Sequence, residues 1–295
     1  MMSTRPTRRH LDARRQHWQH GPIDLIVEAW GDTAAIARAS EAAWARFEQV
    51  LAELVAELPL LRRAVDAQTT VHGRVAQRML DACRPHAAQF ITPMAAVAGS
   101  VADEICAFFV SEPGVTKAYV NNGGDIALHL RAGASANEPP SESRTESLTV
   151  GVIADPQKPQ QAGSVTISGN QPVRGIATSG WRGRSFSLGI ADSVTVLAAS
   201  AAAADAAATM IANAVNAEHS SIVRAPANTR KDDTDLGARL VTVKVPPLPR
   251  VVVLQALNAG LAEARACAAR GLIDSALLLL QGEVVETSAA LKLAA

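Results

Sequence analysis

The segment from Ser193 to Val215 constrains the fold more than any other part of the chain: it is apolar, dominated by alanine, and carries one acid, Asp205, near its middle. About 20 apolar residues are enough to span a bilayer. Alanine, however, gives little insertion energy, and a central carboxylate opposes insertion. The segment therefore predicts a strand over Ser193 to Ala198 and a buried helix over Ala199 to Val215, with no membrane span. A helix faced with methyl groups lets neighbouring backbones and ligands come close, and an acid set among them requires a partner or a task.

Composition narrows the remaining choices. With 295 residues, 48% hydrophobic and only 3% aromatic, the interior must be built from Ala, Val, Leu and Ile, as one large domain or two fused halves. Twenty-eight basic residues balance 28 acidic ones, which removes the global field expected of a nucleic-acid binder. The densest local patch is Arg5, Arg8, Arg9, Arg14 and Arg15 with His10, His17 and His20. It reads as a solvated, frayed basic terminus over residues 1–22, ahead of a single domain over 23–295 that is one unit or two α+β halves. No apolar signal core follows these arginines, and Cys83, Cys106 and Cys267 lack CxxC spacing, so a cytoplasmic protein with reduced, buried thiols is expected. His72, His86, His129 and His219 are isolated in sequence and read as structural or surface residues rather than as ligands.

Helical spacing runs from Thr33 to Ala67 with Pro59 interrupting it, from Val75 to Cys83, and from Pro93 through Phe108, where Asp103 and Glu104 would mark the wet side. Strands are expected over Asp24–Ala29, around a Gly-rich turn within residues 116–130, and over 148–153, 163–168, 173–177, 241–245 and 251–255, with a final strand pair turning at Gly282. Residues 132–147 and 225–237 read as polar loops and 258–270 as a helix. Helices and strands are interspersed without regular alternation, which argues for an α+β fold of mixed sheets and Ala-rich helices. Such helices also suit a homodimer.

Three constellations offer chemistry. Asp205 and Thr209 are four residues apart and share one helix face, a carboxylate and a hydroxyl suited to Mg²⁺. An acid paired with an arginine accounts for the same spacing. Asn121-Asn122-Gly123-Gly124-Asp125 is a turn that lets backbone approach a ligand, or an ordinary hairpin. Thr178-Ser179-Gly180, followed by Arg182 and Arg184, combines hydroxyls, amides and guanidinium groups suited to a pyrophosphate, or forms a solvated loop.

In their order and separation, Gly123-Gly124-Asp125, Ala177-Thr178-Ser179-Gly180 and Ala204-Asp205-Ala206-Ala207-Ala208-Thr209 resemble the ApbE-like superfamily of Mg²⁺-dependent FAD:protein FMN transferases. Gly99 to Asp103 is similar to that family's Gly-x-x-x-Asp helix, and the likeness covers roughly residues 90–216. The resemblance implies that Asp205 and Thr209 hold the cation with a backbone carbonyl near Ala95 to Val97. It also implies that Gly123, Gly124, Asp125 and the Thr178-Ser179-Gly180 turn line an FAD or FMN cleft, and that an acceptor protein is a partner. Two positions differ from the transferases: Ala98 stands where they have lysine, and residues 182–192 replace a His and an Asp-Pro-x-x-Gly segment, with Arg182 and Arg184 supplying positive charge. This wording is closer to a cytoplasmic branch of the superfamily. FMN transfer or dinucleotide cleavage, flavin binding without turnover, and a flavin-dependent oxidoreductase all remain compatible with the sequence.

Overall fold

The computed structural model describes residues 5–133, 145–155, 158–288 and 292–293, and its helices and strands are mixed in an α+β architecture. Strands β1 (Thr7–His10), β2 (Gln16–His20) and β3 (Ile23–Gly31) pair as successive antiparallel neighbours. The basic terminus expected to fray is thus ordered from residue 7 onward. The reason lies in alternation: Gln16, Trp18 and His20 point inward, and Trp18 meets Trp44 edge-on with ring centroids 5.4 Å apart. Arg8 lies over the Trp18 ring, so part of the basic patch covers the core rather than solvent alone.

Helix α1 (Thr33–Leu61) begins where the Asp32 carboxylate accepts the Ala35 amide proton, at 2.8 Å. Its inward face runs Ala35, Ala39, Ala43, Phe47, Val50 and Leu54. The helix stops two residues past Pro59 instead of continuing to Ala67, because proline removes a donor from the last turn. α2 (Arg74–Cys83) is followed by single 3₁₀ turns at Arg84–His86 and Pro93–Ala96, and the second of these runs into α3 (Val97–Val110).

After α3 come β4 (Val115–Asn122) and β5 (Asp125–Leu130), then β6 (Ser147–Asp155), β7 (Lys158–Ser168), β8 (Gly175–Ser179) and β9 (Ser193–Ala198). The loop expected between β5 and β6 falls largely on residues 134–144, outside the described residues. Next are α4 (Ala201–Ala214), β10 (Val223–Pro226), β11 (Leu240–Lys244), α5 (Arg250–Ala269), β12 (Ser275–Leu280) and β13 (Glu283–Glu286). Residues 251–255, expected as a strand from their valine run, form the first turns of α5. Pro249 opens that helix, and the inward positions Val253, Ala256, Leu257, Gly260, Leu261 and Ala264 keep helical spacing, so tertiary burial overrides the β-branched preference.

The main sheet has nine antiparallel strands in the order β1-β2-β3-β4-β5-β8-β9-β12-β13. The helices cover one face. Strands β6 and β7 cover part of the other, where Val165 and Ile167 join Ile126, Leu128, Ile176, Leu197 and Leu277 in one cluster. Under the helices lie two larger apolar clusters, one beneath α1, α2 and α3 and one beneath α5. Helix α4 belongs to both: Ala206 and Met210 enter the first, Ala204, Ala207 and Ile211 the second. Alanine dominates this helix because both flanks are packed. Two helical stretches, Pro93–Val110 and Arg250–Ala269, are long and apolar enough by composition to cross a membrane, and each buries a face in these clusters.

Candidate functional site

Helices α3 and α4 begin beside each other, and each supplies an acid to the other's first turn. The Gly99 N–H of α3 donates to Asp205 Oδ2 of α4 at 3.0 Å. The N–H groups of Ala201 and Ala202 donate to the Asp103 carboxylate at 3.0 and 2.8 Å. These are the amides that an α-helix leaves without internal partners, so the exchange satisfies two helix ends at once. Contact this close requires glycine at residue 99, because a Cβ there would stand 2.2 Å from the Ala201 carbonyl oxygen. Asp103, expected on a wet face, is instead spent on this cap.

Glu104, expected beside it in solvent, has no exposed surface. Arg46 reaches it at 2.8 Å, Arg78 at 3.2 Å and Arg74 at 3.5 Å. Burial alone would raise its pKa, but the Arg46 hydrogen bond and the charges of Arg74, Arg46 and Arg78 outweigh burial and hold it below the usual carboxylate value. The acids of α3 were misread because their charge suggested solvent, whereas each had a buried partner more than 20 residues away in sequence.

The β4–β5 turn reaches the same place. Gly123 and Gly124 have φ of +67° and +118°, which glycine adopts without strain. The Asn121 side chain accepts the Gly124 N–H at 2.8 Å, and the buried Asn122 amide donates to the Ala98 carbonyl at 3.1 Å, tying the turn to the start of α3. Asp125 Oδ1 accepts the Thr178 N–H at 3.3 Å, which joins this turn to the end of β8. The Thr178 hydroxyl in turn bonds Thr195 at 2.9 Å. Arg184 lies against Gly123, so closely that a Cβ there would meet its guanidinium.

Asp125 and Asp205 are both half-buried, and the surrounding protein solvates their charge poorly. Burial pushes Asp125 up to about 7, against the opposing Thr178 N–H and Arg184 charge. Burial, then the nearby charge of Asp125, pushes Asp205 well above its ordinary value, against the amides of Gly99 and Ala98.

The structure thus brings together Gly123, Gly124, Asp125, Thr178, Arg184 and Asp205. Ser179 and Gly180 continue from Thr178 at the end of β8. Thr209 sits one turn beyond Asp205 on α4, half-buried, and the Pro93–Ala96 turn carrying Ala95 packs against that helix. Arg182 is engaged elsewhere: its guanidinium bonds Asp192 at 2.8 Å and lies over Trp181. The sequence places Asp125 among the residues lining the cofactor, but its closeness to Asp205, 80 residues further along the chain, is something no local spacing shows.

A family model described as AbpE bacteria matches residues 7–286. The chain belongs to this family. Among curated relatives, the UPF0280 protein of Methanosphaerula palustris is 32% identical over 207 residues, covering 68% of this chain and 77% of that protein. The UPF0280 protein of Methanothermobacter thermautotrophicus is 37% identical over 131 residues, covering 43% of each. This AbpE-family chain therefore spans about three quarters of the first relative and less than half of the second. Among solved structures, the ApbE protein from Thermotoga maritima is 13% identical with a TM-score of 0.48, covering 96% of both chains. The flavin transferase ApbE from Vibrio cholerae is 13% identical with a TM-score of 0.47, covering 91% of this chain and 94% of that one.

The side chains that this AbpE-family chain offers here are oxygen donors: the Asp125 and Asp205 carboxylates, with the Thr209 hydroxyl one helical turn along α4. Hard divalent cations such as Mg²⁺ prefer such donors.

Proposed function

We propose that the chain binds the pyrophosphate of a flavin dinucleotide at this cleft with Mg²⁺, and transfers FMN from FAD to an acceptor hydroxyl or cleaves a related dinucleotide. The single observation carrying this reading is the convergence of Asp205, Asp125 and the Thr178 and Gly123 turns. The order of motifs shared with the FMN transferases supports the choice of flavin. Asp205, Thr209 and Asp125, with a carbonyl at Ala95, would hold the cation. When bound, Mg²⁺ neutralises charge on the phosphate oxygens as the P–O–P bridge breaks.

The chain's own groups do the positioning. Arg184, beside Gly123, would meet phosphate charge, while the side-chain-free Gly123-Gly124 turn lets the ligand come close to the backbone. In the reaction the acceptor oxygen forms a bond to the FMN phosphorus, the bridging P–O bond breaks, and AMP leaves with the bridging oxygen while the acceptor hydroxyl gives up its proton. Purified protein incubated with FAD, Mg²⁺ and an acceptor protein should release AMP, and Asp205→Asn should abolish the release. Absence of AMP with either Mg²⁺ or Mn²⁺ would remove the transferase reading.

Ala98, which stands where the transferases have lysine, favours a second reading in which the same cleft binds flavin without turnover. In that case FAD raises the thermal midpoint by mass action while no AMP forms.

A further inference from the structure

Where the Arg84–His86 turn meets α5, three side chains from two parts of the chain come together. His86, at the end of the Arg84–His86 turn after α2, has 5% of its surface exposed, Cys267 of α5 has none, and Glu263 is half-buried one helical turn before Cys267. Their ligand-capable atoms all lie within 4.8 Å of one another, with Cys267 Sγ 3.8 Å from Glu263 Oε1. The structure holds this cluster through its neighbours. Gln89 Nε2 donates to the second Glu263 oxygen at 3.4 Å, and Arg270 donates to the Pro85 carbonyl next to His86.

We infer that His86, Glu263 and Cys267 form a second metal site, selective for a thiophilic divalent cation, Zn²⁺ being the natural occupant. The argument is one of donor chemistry and reach. An imidazole, a carboxylate and a thiolate are a zinc set, whereas Mg²⁺ and Ca²⁺ avoid sulfur. Ligand atoms around a tetrahedral zinc stand about 3.5 Å apart, given bonds of about 2.0–2.3 Å. Glu263 and Cys267 share a helix face as residues i and i+4, so a modest turn of the half-exposed Glu263 side chain closes the triad on one ion.

Charge balances as well. A neutral imidazole, a carboxylate and a thiolate offset the dication. Binding replaces the Cys267 S–H bond by a sulfur–metal bond and releases that proton to solvent. Because His86 follows α2 and the other two ligands ride on α5, the ion would staple the two sides of the helical layer.

The test uses the full chain stripped with chelator and titrated with Co²⁺, then Zn²⁺. One equivalent of Co²⁺ should give a thiolate-to-cobalt charge-transfer band in the near ultraviolet, which Zn²⁺ displaces. Cys267→Ala should lose the band and His86→Gln should weaken cobalt binding at least about tenfold, while Asp205→Asn keeps it unchanged. Zn²⁺ should raise the thermal midpoint of the wild type and leave that of Glu263→Gln much less affected, a variant whose partial exposure protects folding. Absence of a thiolate band, or a band that persists in folded Cys267→Ala, would overturn the site.

Discussion

Asp205 is a residue with two duties, since one carboxylate oxygen caps α3 through Gly99 while the group as a whole faces Asp125. This sets a sign for pH dependence. In the unfolded chain both acids return to about 3.8, so in the folded chain they bind protons more tightly. Stability from this pair is complete below that value and declines as pH rises through the folded values, a range that for Asp125 reaches about 7. With chelator present, the thermal midpoint of the wild type relative to Asp205→Asn should therefore fall as pH is raised from about 4 to about 8. Asparagine keeps an acceptor for the Gly99 N–H while removing the charge, so the comparison isolates the acid pair. A difference between the two that stays flat with pH would show that folding does not raise the Asp205 carboxyl. At this scale the sequence marks Asp205 by its isolation among alanines and Asp125 by its Gly-Gly turn, but not the roles of Asp103 and Glu104, whose partners are distant in sequence.

Among the elements, the crossing of α3 and α4 decides whether the site exists. It depends on Gly99, whose missing side chain admits the Ala201 carbonyl. Gly99→Ala should force the two helices apart and cost about 1–3 kcal/mol in urea denaturation, while weakening any cation-dependent ligand binding. Wild-type stability in that variant would mean the helices have room to spare. Strand β9 and helix α4 were legible because a short β-branched run and a long alanine run leave few alternatives. The β1–β2 hairpin was not, since its arginines and histidines mask the inward alternation that ends in Trp18. The start of α5 was misread for the opposite reason: consecutive valines favour a strand locally, but Pro249 and the inward stripe through Cys267 commit them to a helix.

For the whole molecule, the shared helix is the organising fact. Residues of α4 complete both apolar clusters beneath the helical layer, so the acid-bearing face is fixed from two directions before any ligand arrives. Preorganisation of this kind lets a cleft present charge without rearranging. Its central consequence is that cation and dinucleotide should bind together, through Asp205. The most direct test is FAD affinity, read from the quenching of flavin fluorescence, with Mg²⁺ and with chelator, in the wild type and in Asp205→Asn. Mg²⁺ should tighten FAD binding to the wild type by about tenfold or more, roughly 1.4 kcal/mol, and should have no effect on the variant. FAD that binds the wild type equally well without Mg²⁺, or a Mg²⁺ effect that survives in Asp205→Asn, would contradict the account.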